Sequence, residues 1–232
     1  MSHLGRSVLV PAAPVPVTVG SPVLLLAVAV LVGLVLEHRH RRGWYLRPEE
    51  IPRRTVPRYS LASATVVVTG LLLHALPHDT PAACAALALH LLVAVGTLAL
   101  AAVDVTVHRL PDVLTLPLGA ATMLGFGVLA ATAAPQAGLR ALAAGAIVPA
   151  LVLAVTLTLG GIGLGDVKLL CPIAAVLGWH GWACVATGLV LAWCLAGAAA
   201  LRWLLAGRAR RDTPVPLGPF LGLGALLAVL AT

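Results

Sequence analysis

Two of the eight acidic side chains in this sequence stand where hydrophobic helices should end. Asp104 directly follows the apolar run Thr97-Leu-Ala-Leu-Ala-Ala-Val, and Asp166 directly follows Gly160-Gly-Ile-Gly-Leu-Gly. Brought together, two carboxylates can divide the work of hydrolysis. Like charges a few ångström apart cannot both ionise, so the pair holds one proton over a range of pH. The ionised member then takes a proton from water while the protonated member hydrogen-bonds the scissile carbonyl. Each residue also has a plainer reading, Asp166 as a helix N-cap and Asp104 as a side chain reaching to water. The other acids have simple explanations. Glu37, Glu49, Glu50 and Asp212 read as solvated residues of basic loops, and Asp79 as part of an outer turn. Asp112 follows Pro111, where it can cap free helix N–H groups. His108 reads as a solvated interfacial side chain, so no Ser/His/Asp or Cys/His arrangement competes with the aspartates. Cys84, Cys171, Cys184 and Cys194 lie in apolar stretches without a CxxC pair. They read as buried small hydrophobes, not as metal or disulfide chemistry.

The elements that must position these residues are membrane helices. The chain is 60% hydrophobic and 10% charged, whereas soluble domains carry roughly a quarter charged residues. Apolar runs of a length that crosses the ~30 Å hydrocarbon core recur from Val17 onward, without the period-2 alternation of a barrel. They predict an all-α polytopic protein with about eight spans, at 17–36, 60–77, 82–103, 113–133, 141–160, 167–179, 183–206 and 216–231. Residues 1–232 read as one integral membrane domain. Its first span is retained and starts outside, because no strong basic n-region or small-residue cleavage site marks a signal peptide.

The sixth run is short, and merging it with the seventh across Gly178–Trp182 would give a different topology. Charge decides between the two. With eight spans every basic residue except Arg6 and Arg140 falls on the cytosolic side, as the positive-inside rule requires; a merged span would put Arg208, Arg210 and Arg211 outside. Asp104 and Asp166 then share the cytosolic side at similar depth. The net charge of +7 comes from arginines in short loops between spans, a pattern that points to anionic lipid headgroups and away from nucleic acid. The one sizeable loop, 37–59, is arginine-rich and broken by Pro48, Pro52 and Pro57, so no long helix is expected through it.

Gly160, Gly161, Gly163 and Gly165 lack a Cβ, so the backbone before Asp166 can take positive φ and approach another helix or an extended substrate closely. Three stretches taken together resemble the type IV prepilin peptidases, the bacterial branch of the GxGD membrane aspartyl proteases. Asp104-Val-Thr-Val-His-Arg-Leu-Pro-Asp112-Val-Leu-Thr-Leu-Pro is similar to the family's first catalytic segment. Gly163-Leu-Gly165-Asp166-Val-Lys168-Leu-Leu is similar to its GxGD segment. Thr213-Pro-Val-Pro-Leu-Gly218-Pro219-Phe-Leu resembles its final-helix signature.

The resemblance implies an aspartic endopeptidase of the bacterial inner membrane with Asp104 and Asp166 as its catalytic pair. Gly163, Gly165, Lys168 and Asp112 would be accessory or substrate-contacting positions, with Lys168 tuning the pair or meeting a substrate carboxylate. It implies prepilin-like substrates, in which a short basic leader precedes a hydrophobic helix, and cleavage of that leader at the cytosolic face. No metal or cofactor is expected. A small proton-coupled transporter would instead place its carboxylates near the midplane within repeated halves, and no repeat is visible. A non-catalytic scaffold for pilus assembly would not require both aspartates.

One departure concerns the loop. Longer family members carry two CxxC pairs between the first two spans, whereas loop 37–59 has no cysteine and offers only His38 and His40. The resemblance ties N-methylation of the new pilin N-terminus to that cysteine-rich loop. The sequence therefore predicts cleavage without efficient methyl transfer, and a loop with no core of its own to fix its shape.

Overall fold

In the computed structural model, residues 22–52, 55–208, 210 and 215–232 are described, and among them the regular structure is entirely helical. The eight helices are α1 (Pro22–Arg41), α2 (Ser60–Ala75), α3 (Pro81–Val107), α4 (Asp112–Thr132), α5 (Pro135–Leu159), α6 (Leu164–His180), α7 (Trp182–Leu205) and α8 (Gly218–Leu230). Each expected span corresponds to one of them. Residues 17–21 of the first expected span, together with Arg6, Asp212 and Thr213, lie outside the described residues. Five helices, α1, α3, α4, α5 and α7, are long and apolar enough to cross a membrane on length and composition. With these five, the chain is a multi-pass membrane protein. The other three are shorter, at 16, 17 and 13 residues for α2, α6 and α8.

The separation of α6 from α7 rests on one residue. Gly181 adopts φ 138° and ψ 167°, a backbone state that side chains with a Cβ rarely reach, so the chain reverses there instead of continuing as one helix. α6 is the central element. It packs against α5, α4, α8, α7 and α3, and Leu169, Leu170 and every residue from Pro172 to Gly178 are buried. Small residues allow the close approach of backbones on which membrane helices depend. A Cβ on Gly178 would lie 2.5 Å from Ala144 Cβ and 2.8 Å from the Arg140 carbonyl of α5. Arg140 in turn donates to the carbonyl of Trp179 at 3.1 Å, closing an open C-terminal acceptor of α6.

The antiparallel pair α3 and α6 is tied at the end remote from Asp104 and Asp166. His90 is 2% exposed, and its Nδ1 lies 2.7 Å from the Ala86 carbonyl. A carbonyl only accepts, so Nδ1 carries the proton. The His90 Nε2 therefore accepts from the His180 Nε2–H at 2.9 Å. Phe126 of α4 and Trp179 pack around this pair at ring distances of 6.2 Å to His90 and 5.3 Å to each other.

Several expectations for the first loop are corrected. α1 continues to Arg41, so Glu37 is a helical residue and only 6% exposed. Its carboxylate accepts the backbone N–H groups of Tyr59 and Leu61, each at 3.1 Å, and the Arg41 Nε at 2.9 Å. It thus satisfies free donors at the start of α2 from another helix. Nor is the loop without a fixed shape. Tyr45 is buried and stacks on His40 at 4.8 Å. Glu50 is held by Arg109, with Arg109 Nε to Oε1 and Nη2 to Oε2 both at 2.9 Å. Side-chain packing and one ion pair replace the core that composition alone denied it. The cysteine expectation also fails in part: Cys184 is buried, Cys84 and Cys171 are half-buried, and Cys194 is exposed on the outside of the bundle.

Candidate active site

Asp104 lies in the last turn of α3 and Asp166 in the first turn of α6. Because the two helices run antiparallel, these turns meet at one end of the bundle. The carboxylates are close enough to interact electrostatically.

Asp104 is 5% exposed and therefore does not reach out to water. Its Oδ2 accepts the N–H of Gly218 at 2.9 Å. Gly218 is the first residue of α8 and is followed by Pro219, which has no N–H to offer. The electropositive N-terminus of α8 thus points its first amide at Asp104. A Cβ at position 218 would come within 3.1 Å of Oδ2, so glycine there leaves the carboxylate undisturbed where a larger residue would crowd it. The final-helix signature therefore has a local physical reason in residues 217–219.

Asp166 is not the N-cap of α6. That position belongs to Gly163, whose backbone hydrogen-bonds to the Asp166 carboxyl group. The other oxygen, Oδ1, is buried and has no hydrogen-bond partner among the described residues. Buried polar atoms in this state are uncommon and call for an explanation such as a catalytic role.

The four glycines divide their work. Gly160 and Gly161 take φ 72° and 93° with open space where a Cβ would be, and so make the turn out of α5. Gly163 and Gly165 serve close approach instead. A Cβ on Gly163 would lie 3.0 Å from Asp166 Oδ2, and one on Gly165 would lie 2.9 Å from Leu110 Cβ. Leu110 belongs to the short turn between α3 and α4, so Gly165 lets the segment after Asp104 press directly onto the segment before Asp166.

Asp112 and Lys168 come together, but not at the carboxylate pair. Asp112 is the first residue of α4, with Pro111 as N-cap and no side-chain capping bond. Its Oδ1 instead receives Lys168 Nζ at 2.7 Å, with side-chain exposures of 57% and 37%. The capping expectation is replaced by an interhelical ion pair joining α4 and α6. His108 likewise is no loose interfacial residue; it closes α3 in the left-handed conformation, at φ 52° and ψ 43°.

Sequence reasoning missed Glu37, the Glu50–Arg109 pair and the His90–His180 pair, because each joins residues far apart in the chain. Glu37 and Arg41, four residues apart, gave the one local signal. Among the described residues no three His, Cys, Asp or Glu side chains converge as a metal site would require.

Comparison with known proteins bears directly on this end of the bundle. The chain is 38% identical over 135 residues to a prepilin leader peptidase/N-methyltransferase of Burkholderia pseudomallei, covering 55% of this chain and 41% of that protein. It is 32% identical over 147 residues to proteins of the same description from Stutzerimonas stutzeri and Pseudomonas aeruginosa, covering 60% of this chain and 48% of each. The chain thus spans less than half the length of these relatives. No solved structure matches it. The profile of the type IV leader peptidase family matches residues 91–201, from the middle of α3 through α4, α5 and α6 to most of α7. The stretch that carries both Asp104 and Asp166 is thus the part of the chain that is similar to the type IV leader peptidase family.

Proposed function

We propose that this protein is a membrane aspartic endopeptidase that removes the short basic leader from type IV prepilin-like precursors at the cytosolic face of the bacterial inner membrane. The observation that carries this reading is the meeting of Asp104 and Asp166 within the family-matched stretch. They come from two antiparallel helices that bring together residues 62 positions apart (166 minus 104). The reading rests also on the relatives' description as prepilin leader peptidases.

In the proposed reaction the aspartate pair holds one proton. The ionised carboxylate removes a proton from water as its oxygen bonds to the scissile carbonyl carbon. The protonated carboxyl group gives its proton to the carbonyl oxygen. Collapse of the tetrahedral diol breaks the C–N bond: the first carboxyl returns its proton to the departing amine, and the second, now ionised, takes one hydroxyl proton from the diol as the new carboxyl group forms, so the pair again holds one proton. The precursor's hydrophobic helix enters sideways from lipid, and its leader stays in the cytosol. Glu50 is already engaged by Arg109 and does not attract that leader.

The test is co-expression of a prepilin with Asp104→Asn or Asp166→Asn enzyme, with processing read as gel mobility. Each variant is expected to insert normally and to leave the precursor uncut. Full processing by either one refutes the mechanism.

A further inference from the structure

We infer that the Glu50–Arg109 pair is a positioning latch, which clamps the α1–α2 loop onto the α3–α4 turn and so holds Asp104 and Asp166 in register. The inference rests on the reading of those aspartates as the catalytic pair.

Arg109 uses one guanidinium for three bonds across the two segments. Nε and Nη2 grip the two oxygens of Glu50 at 2.9 Å each, and Nη2 also reaches the Tyr45 carbonyl at 3.0 Å. A planar bidentate grip fixes orientation as well as distance, which a lysine could not do. The loop side of the contact is itself anchored. Glu50 Oε2 accepts the Arg47 N–H at 2.9 Å, while Tyr45 is buried and stacks on His40. The latch therefore pulls on a structured segment.

What it pulls against is the turn 108–111, which lies between the last residue of α3 and the first of α4. Two side chains fasten that turn on either side. Arg109 faces the loop, and its neighbour Leu110 is buried against Gly165. Asp104 lies five residues before Arg109, and Asp166 lies one residue after Gly165. Release of Arg109 frees Leu110 to lift from Gly165, and the spacing between the two carboxylates then loses its fixed support. A shift of about 1 Å in reacting groups is enough to lower a rate roughly a hundredfold, so even partial loosening is measurable.

The experiment measures steady-state cleavage of a purified prepilin by the full chain in lipid nanodiscs. Glu50→Gln keeps the shape of the side chain but loses its charge, and Arg109→Lys keeps the charge but loses the fork. Each is expected to lower kcat about tenfold with KM within twofold of wild type. The double variant is expected to be no worse than the poorer single, because both break one contact. A kcat within twofold of wild type in either single overturns the latch. So does a multiplicative double, and so does a raised KM at unchanged kcat, which would make the loop a substrate contact. Asp104→Asn runs beside them: cleavage by that variant would overturn the underlying reading of the site, whereas its inactivity leaves the latch to be judged on its own variants.

Discussion

Replacing Gly165 by alanine adds a single methyl group one residue before Asp166, and its consequences can be worked from the structure. The new Cβ would stand 2.9 Å from Leu110 Cβ, with Leu110 Cδ1 and Cγ at 3.5 and 3.6 Å. Ordinary carbon contacts begin at about 3.5 Å, so the two segments must part by about 0.6 Å (3.5 minus 2.9). Rotation of the leucine does not relieve the contact, because a Cβ moves only with its backbone. Overpacking of this size costs ~1–3 kcal/mol, while alanine in a helix gains up to ~1 kcal/mol over glycine. The fold should therefore lose ~0–3 kcal/mol and survive. The site should not tolerate the same shift, since the displaced segments carry Asp104 and Asp166. A misplacement approaching 1 Å costs about 10² in rate, or ~2.7 kcal/mol of barrier.

The assay is cleavage of a purified prepilin, with thermal unfolding measured on the same samples. Gly127→Ala is the control, because a Cβ there meets nothing within 4 Å. It should cleave normally and be equally or slightly more stable. Gly165→Ala should lose about a hundredfold in kcat with only a modest drop in Tm. Retention of cleavage within threefold of wild type would refute the close-approach argument. Inactivity explained entirely by loss of folded protein would refute it equally.

Other expectations follow from the same geometry. Asp112→Asn should reduce cleavage by no more than a few fold and barely change Tm, since exposed ion pairs contribute ~0–1 kcal/mol; a complete loss would place Asp112 in the chemistry. The pH–rate profile should be bell-shaped, with two limbs that belong to the aspartate pair as a unit. Hydrogen bonding from Arg109 holds the Glu50 carboxyl below the usual glutamate range. The latch contact is therefore intact above that range and is lost only as pH falls through the lowered value. Glu50→Gln should accordingly lower the bell without moving its limbs between pH 5 and 8. His90→Leu should cost ~1–3 kcal/mol by leaving the His180 N–H without its acceptor, read as a lowered Tm. Intact-mass analysis of pilin processed by this enzyme alone should show mostly unmethylated N-termini; a methyl group on most molecules would overturn that expectation.

The positions of the helices were legible because bilayer thickness and apolar run length constrain each other. Charge also settled the one ambiguous division, between α6 and α7, correctly. Asp104 and Asp166 stood out as candidates because they are isolated acids against an apolar background and lie in the segments Asp104–Pro117 and Gly163–Leu170. What could not be read was pairing at a distance. Glu37 lies among arginines in the sequence, so its basic neighbourhood suggested solvent. Its actual partners, the amides of Tyr59 and Leu61, are backbone groups that leave no mark on residue type. Asp112 fits a capping position equally well on paper; only the packing of α4 on α6 brings Lys168 within 2.7 Å of it. The glycines illustrate the same limit. Composition shows that four residues lack a Cβ, but not that Gly160 and Gly161 need it for φ while Gly163 and Gly165 need it for space.

The polar tie between α3 and α6, His90 with His180, lies at the end opposite Asp104 and Asp166. His90 and His180 are each 14 residues from the corresponding aspartate (104 minus 90, 180 minus 166), or ~21 Å along a helix at 1.5 Å per residue. At the histidine end each nitrogen facing the seam has a partner, and Phe126 and Trp179 pack against the rings. At the aspartate end Asp166 Oδ1 lacks one, and Gly160 and Gly161 turn through open space. An antiparallel pair pinned at one end concentrates its remaining freedom at the other. The proposed entry of a substrate helix from lipid would use that asymmetry: a closed far end to keep the carboxylates aligned, and a near end that opens without unfolding the core. The Glu50–Arg109 contact lies at this near end, on the turn that faces Gly165. There a modest ion pair has leverage over the site that its own stabilising energy would not suggest.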